Sequence, residues 1–214
     1  MSPQDRHAAV IATMKLAPVI PVLTVRDVAD GVAQARALVA GGLPAIEVTL
    51  RTPAALEAIA EIARSVPGAH VGAGTIVDPA QIQAAVDAGA RFLVSPGTSP
   101  ALAAAAAQAP IPFLPGVATP SEAMTLRALG FRAMKLFPAE AVGGAKLLAS
   151  LYAPLPDIVF CPTGGIDAAK AAIYLALPNV LCVGGSWMLP TAALEAGDYA
   201  EVEALAREAA KLKG

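Results

Sequence analysis

The stretch PVIPVLTVRDVADGVAQARALVAGGLPAIEVTL (18–50) decides the fold. It opens on a short apolar, β-branched run (18–25), crosses an alanine-rich segment and returns to a second such run, AIEVTL (45–50). Asp27 stands just ahead of the alanine-rich segment, where a short polar side chain can accept a backbone N–H of the first helical turn. Strand, helix and strand in that order predict two parallel strands with the helix packed outside them.

Working outward, the same alternation repeats. Further strand candidates are HVGAGTI (70–76), FLVSPG (92–97), PFLPGV (112–117), AMKLFPA (133–139), IVFCPTG (158–164) and VLCVGG (180–185). Helical segments of roughly 10 to 15 residues lie between them. Thr52 with Pro53, Asp78 with Pro79 and Thr119 with Pro120 are expected to open three of these. Eight such units predict a (β/α)8 TIM barrel in a single domain, 1–214, near the short end for that fold. A doubly wound open sheet is the rival. The segment before Pro18 predicts an N-terminal cap helix over the barrel bottom, and 191–213 a closing helix.

Composition narrows the function. Of the 214 residues 56% are hydrophobic and only 15% charged, with a formal net charge of -2. No basic excess exists to neutralise a phosphate backbone, so no nucleic-acid partner is expected. No apolar run approaches the roughly 20 residues needed to cross a bilayer, so no membrane partner is expected either. MSPQDRHAAVIATMKL (1–16) lacks the long apolar stretch of a signal peptide, and a cytoplasmic location is expected. Cys161 and Cys182 lie in apolar strand candidates and are expected to be buried, reduced thiols. Of the two histidines, His70 begins a strand, at the wrong end for a barrel's active site, and no metal-ligand spacing is present.

Barrel active sites lie at the C-terminal ends of the strands, so polar residues there should share the inward parity. In AIEVTLR (45–51), Glu47, Thr49 and Arg51 share one face while Ile46, Val48 and Leu50 take the other. Three polar side chains climbing one face are expensive to bury without purpose, although a structural Glu47–Arg51 ion pair would also explain two of them. In AMKLFP (133–138), Lys135 shares the inward face with Ala133 and Phe137. Lysine is rarely buried. An apolar surrounding favours a neutral amine, which is the form that attacks a ketone. A purely structural Lys135–Glu47 pair is the competing reading. Lys15, Lys146, Lys170, Lys211 and Lys213 lie in helices or near the termini, where a solvated face explains them.

Thr163, Gly164 and Gly165 follow the seventh strand candidate; Gly184, Gly185 and Ser186 follow the eighth. Loops at those two positions often cradle a phosphate with backbone N–H groups. The GAGT (72–75) and SPG (95–97) runs are expected to allow close backbone approach, with Thr75 as a substrate contact.

Together EVTLRT (47–52), GAGT (72–75), SPG (95–97), KLFPAE (135–140), FCPTGGI (160–166) and LCVGGSW (181–187) resemble the 2-keto-3-deoxy-6-phosphogluconate (KDPG) and 2-keto-4-hydroxyglutarate (KHG) aldolases. The resemblance runs from about Pro18 to Leu212, with the motifs in the family's order. It implies a barrel lyase, a homotrimer in most members, that releases pyruvate from a phosphorylated keto acid without metal or cofactor. By this likeness Lys135 is the Schiff-base lysine and Glu47 the acid/base. Arg51 and Thr75 lie around the substrate carboxylate, Pro96 lines the substrate, and Phe137 packs beside the imine. Thr163 lies near the substrate hydroxyls, and Gly164, Gly165, Gly184, Gly185 and Ser186 form the phosphate end. Leu136 departs from relatives that carry a second aromatic there, and on parity it faces outward. A sugar-phosphate isomerase or epimerase, or a non-catalytic sugar-phosphate binding barrel, would explain the glycines but leave the inward lysine unused.

Overall fold

A computed structural model describes residues 3–212; Met1, Ser2, Lys213 and Gly214 lie outside the described residues. Along the chain run α1 (Pro3–Met14), β1 (Val19–Leu23), α2 (Val28–Ala40), β2 (Ala45–Thr49), α3 (Ala55–Ser65), β3 (His70–Gly74) and α4 (Ala80–Asp87). Then come β4 (Leu93–Val94), α5 (Pro100–Ala106), β5 (Phe113–Leu114), β6 (Gly116–Val117), α6 (Pro120–Ala128), β7 (Ala133–Leu136) and α7 (Gly144–Tyr152). The order ends with β8 (Val159–Pro162), α8 (Ala168–Leu175), β9 (Val183–Gly185), α9 (Thr191–Ala196) and α10 (Tyr199–Ala210).

Each of the eight strand candidates contains a strand. The fifth is divided, because Pro115 has no N–H to donate between β5 and β6; its carbonyl still accepts from Lys135 N at 2.8 Å. Every strand pairing is parallel. Six strands run in the order β5-β4-β3-β2-β1-β9 and three in the order β6-β7-β8. Isolated parallel bridges, Phe160 to Val180 and Thr163 to Gly184, link the β8 run to the β9 run. The architecture is therefore α/β, with parallel strands in a curled sheet. A doubly wound sheet would reverse its order at an inner strand; here neighbours follow chain order and β9 lies beside β1.

Side-chain alternation divides the core in two. Val19, Ile46, Val71, Leu93, Met134, Phe160 and Val183 pack outward against helical residues such as Leu38, Ile59 and Leu148. Their chain neighbours Ile20, Ala45, Phe92, Val94, Ala133, Cys161 and Cys182 form a second cluster inside the curl, closed by Val10 and Met14 of α1. Parallel strands buried on both faces account for the high apolar content. Thr13 of α1 lies 3.1 Å from His70 Nε2 at the start of β3, so α1 caps the N-terminal ends of the strands, as expected. His70 also stacks on Phe92, with ring centroids 5.5 Å apart.

Two of the four expected caps form: Asp27 accepts from Asp30 N, and Thr119 forms a capping box with Glu122. Asp78 accepts from Ala80 N, but the N-cap of α4 is Pro79, without a side-chain cap. Thr52 caps nothing. The helix after it begins at Ala55 without a side-chain cap, and the Thr52 hydroxyl is buried with no partner among the described residues. Ser99, Asp167 and Asp198 cap α5, α8 and α10. The single closing helix expected over 191–213 is instead two, because Gly197 adopts a left-handed conformation (φ 68°) and Asp198 restarts the helix; Lys213 lies outside the described residues. Helices α4 to α8 have 7 to 9 residues, shorter than expected; Gly89 and Gly130, both at positive φ, lie just beyond the ends of α4 and α6. Buried Asp30 accepts from Arg26, Gln34 and Tyr199, tying α2 to α10.

Burial, and secondarily the nearby Arg91 charge, lowers the pKa of His70 below its ordinary value of 6.5. The unfolded chain thus takes up a proton at higher pH than the folded one, and stability is lost as pH falls below that ordinary value. Denaturant titrations across the acid range should show this decline, and His70→Gln should flatten that part of the profile. An unchanged profile in the variant would remove His70 as the source.

Candidate active site

Lys135 and Glu47 meet inside the curl. The Lys135 ammonium donates to Glu47 Oε1 at 3.0 Å and Oε2 at 3.2 Å, and the two side chains are only 6% and 4% exposed. They come from β7 and β2, brought face to face by the inward parity the sequence predicts. Lys135 Nζ also lies 5.5 Å from the centre of the Phe137 ring, within cation–π range. No Glu47–Arg51 ion pair forms, since Lys135 takes both carboxylate oxygens. Arg51, exposed at the strand mouth, donates through Nε to Thr75 Oγ1 at 3.2 Å. Thr49 is buried for local reasons: its hydroxyl donates to Leu23 O at 2.7 Å and touches the Thr24 hydroxyl.

Glycines in the GAGT run make room for side chains rather than for another backbone. A Cβ on Gly74 would lie 2.2 Å from Glu47 Oε1, and one on Gly72 would lie 2.5 Å from the Phe92 ring. Thr75, next along, holds a φ of 61°, a left-handed conformation that costs a β-branched residue about 1–2 kcal/mol. The SPG glycine is not what admits a close backbone: a Cβ on Gly97 would meet nothing within 4 Å, and the approach to this run is made by Gly116 of β6. A Cβ on Gly116 would meet the Pro96 carbonyl carbon at 2.4 Å, and Gly116 N donates to Ser95 Oγ at 3.0 Å.

The two glycine trios are brought side by side by the Thr163–Gly184 bridge. Gly184 is small because the Thr163 hydroxyl fills the place of a Cβ (2.2 Å), and Gly185 because the Trp187 ring does (2.1 Å). Gly164 and Gly165 have φ of 105° and 75°, which other residues rarely adopt. Ser186 is exposed at the end of this surface. Phe92 as the reason for Gly72 and Trp187 as the reason for Gly185 are not legible in the sequence. Nor is the cluster of Glu140, Lys170 and Tyr174, which hydrogen-bond and ion-pair with one another beside Gly165. Only the position of Glu140 in KLFPAE, five residues after Lys135, hinted at this cluster.

Cys161 and Cys182 are free, buried thiols; a hydrogen bond donated to Cys161, then burial, pushes the Cys182 thiol well up. Among the described residues no group of three or more His, Cys, Asp or Glu gathers, and no helix is long and apolar enough to cross a membrane.

Gly74→Ala should force Glu47 away from Lys135. The expected result is a stretched or broken pair in a crystal structure of the variant and a loss of about 1–3 kcal/mol in unfolding free energy. Wild-type stability with the pair unmoved would show that the site has slack at this point.

Comparison with known proteins agrees with the geometry. Residues 10–205 match the aldolase family described as KDPG and KHG aldolase. The KHG/KDPG aldolase of Escherichia coli (strain K12) is 50% identical over 192 residues, 90% of each chain. The KDPG aldolase of Legionella pneumophila, solved with pyruvate captured as a covalent carbinolamine, superposes with a TM-score of 0.91 at 40% identity, covering 94% of this chain and 98% of that one. The Zymomonas mobilis ZM4 KDPG aldolase solved with 3-phosphoglycerate gives a TM-score of 0.91 at 46% identity, covering 97% of each chain. A buried lysine–carboxylate pair inside the curl, with the family's motifs around it, belongs to a chain that is a member of the KDPG and KHG aldolase family.

Proposed function

We propose that this chain is a Schiff-base aldolase that cleaves 2-keto-3-deoxy-6-phosphogluconate to pyruvate and glyceraldehyde 3-phosphate, and that it also splits 2-keto-4-hydroxyglutarate to pyruvate and glyoxylate. The observation that carries the reading is the buried Lys135 amine within hydrogen-bond distance of the Glu47 carboxylate.

Transfer of a proton from Lys135 to Glu47 leaves a neutral amine beside a carboxylic acid. The amine attacks the keto carbon to form a carbinolamine, and Glu47 returns the proton to the departing hydroxyl, so that water leaves and a protonated imine remains. The iminium withdraws electrons from the bond two atoms away. That C–C bond breaks as Glu47, directly or through a water, takes the proton of the sugar C4 hydroxyl; the aldehyde departs and an enamine stays on Lys135. Glu47 then protonates the enamine carbon, and water hydrolyses the imine to release pyruvate and the free lysine. The iminium is the electron sink, so the cycle calls for no metal or cofactor.

Arg51 holds the pyruvyl carboxylate in a charge-assisted pair, with Thr75 beside it. The strained φ at Thr75 supports this role, since such conformations cluster where a side chain must be aimed. Phe137 packs against the imine, Pro96 lines the pyruvyl end, and Thr163 meets the substrate hydroxyls. Gly164, Gly165, Gly184, Gly185 and Ser186 receive the phosphate and hold the aldehyde half in line. An isomerase or a binding barrel would leave the buried lysine without a task.

The same reading takes the chain as one (β/α)8-barrel domain over 1–214, with the two bridged sheets as its wall. It assigns a homotrimer by family likeness and a cytoplasmic location, which the free thiols support.

Lys135→Met is expected to abolish cleavage with the circular dichroism of the fold retained. Lys135→Arg preserves the charge opposite Glu47 but cannot lose its proton, and should be equally inactive. Glu47→Gln should slow turnover by about 10² to 10⁴. Measurable turnover by either lysine variant, or wild-type kcat in Glu47→Gln, would contradict these roles.

A further inference from the structure

We propose that Glu140, Lys170 and Tyr174 are positioning residues that set the Gly164–Gly165 loop for the phosphorylated end of the substrate. The inference rests on the assignment of that loop to the phosphate.

The three residues come from two regions. Glu140 follows β7 in a short 3₁₀ turn, Glu140–Val142, five residues beyond Lys135; Lys170 and Tyr174 lie on α8, behind the glycines. Lys170 Nζ donates to the Gly165 carbonyl at 2.8 Å and pairs with Glu140 Oε2 at 3.1 Å. The buried Tyr174 hydroxyl donates to Glu140 Oε1. A Cβ on Gly165 would lie 2.9 Å from Glu140 Cγ, so this glycine rests on the Glu140 side chain. A Cβ on Gly144, at the start of α7, would come within 3.1 Å of the same carboxylate. Backbone bonds run in parallel: Ala139 N donates to Thr163 O at 2.8 Å and Glu140 N to Gly164 O at 3.3 Å. One carboxylate thus joins the segment leaving the Schiff-base strand to the loop that would hold the phosphate.

Charge gives the cluster its logic. Hydrogen bonds from Tyr174 first, then Lys170, hold the Glu140 carboxyl below its usual range, so it is ionised at neutral pH. Burial, and then Glu140, pushes the Tyr174 hydroxyl up, so it remains a donor. An anion beside a phosphate site would repel the ligand, and Lys170 cancels that charge while fixing the Gly165 carbonyl. Gly164 and Gly165 both hold positive φ and have few internal restraints of their own. Restraint from outside keeps their peptide groups at one orientation, and the distance between the imine and the phosphate depends on it. The sequence reading put Lys170 on a solvated face. Its side chain is 41% exposed, yet both of these contacts tether its end.

The test compares two substrates that share the pyruvyl half and differ in the aldehyde half, which carries a phosphate in only one of them. Wild type, Lys170→Met, Lys170→Arg and Glu140→Gln are assayed for pyruvate release from 2-keto-3-deoxy-6-phosphogluconate and from 2-keto-4-hydroxyglutarate. Lys170→Met and Glu140→Gln should raise KM for the phosphorylated substrate about tenfold, the scale of one lost hydrogen bond to a charged group. KM and kcat for the unphosphorylated substrate should stay within about twofold, and Lys170→Arg should recover most of the loss. Equal losses on both substrates would reduce the cluster to a structural brace, and no change on either would remove it from the site; both overturn the proposal while leaving the aldolase reading intact. If the wild type itself releases no pyruvate from the phosphorylated substrate, the reading falls and this inference falls with it.

Discussion

A lysine and a glutamate buried together inside a parallel sheet constrain everything around them. Removing two charges from water costs several kcal/mol each, and their attraction offsets this only when the geometry is good and few lone pairs are left unsatisfied. Here both Glu47 oxygens face the Lys135 ammonium at 3.0 and 3.2 Å. That contact requires β2 and β7 to present the same inward parity at the same height. A one-residue slip in either strand would turn one charge toward the helices, into the outer apolar layer. The pair therefore acts as a registry mark for the sheet as well as a candidate proton-transfer couple.

Neighbouring features follow from giving that pair space and a roof. Gly74 has no side chain because the Glu47 carboxylate occupies its place, and Gly72 yields to the Phe92 ring, which in turn stacks on His70 near the cap helix. The inner apolar cluster thus joins Phe92 to Val10 and Met14 of α1. Above the pair, Thr75 is held at positive φ with its hydroxyl accepting from Arg51, so the cationic mouth of the site is aimed by a strained residue. Rigid packing below and local strain above are the combination expected where a side chain must be fixed to within a fraction of an ångström.

Much of this was legible in the sequence, because its causes are local. Short apolar, β-branched runs marked the strands, and period-two parity turned Glu47 and Lys135 inward; the structure follows both. Asp27 and Thr119 were readable as caps, while Thr52 was not, although its dipeptide with Pro53 looks identical to Thr119–Pro120. The difference lies three residues on, where Glu122 completes a capping box and Ala55 cannot. The break of the last helix at Gly197 was written in a glycine followed by an aspartate, a stop and a start in succession. What the sequence could not disclose depends on residues far apart in the chain. The partners of Gly72, Gly74 and Gly185, and the meeting of Glu140 with Tyr174, arise only from register and from the way the strands curl.

The most direct test of the central claim is the intact mass of the protein after incubation with pyruvate and sodium borohydride, followed by peptide mapping. One reduced pyruvyl group per chain is expected, confined to the peptide that contains Lys135. Folded protein with no added mass, or with the adduct on any other lysine, would contradict it.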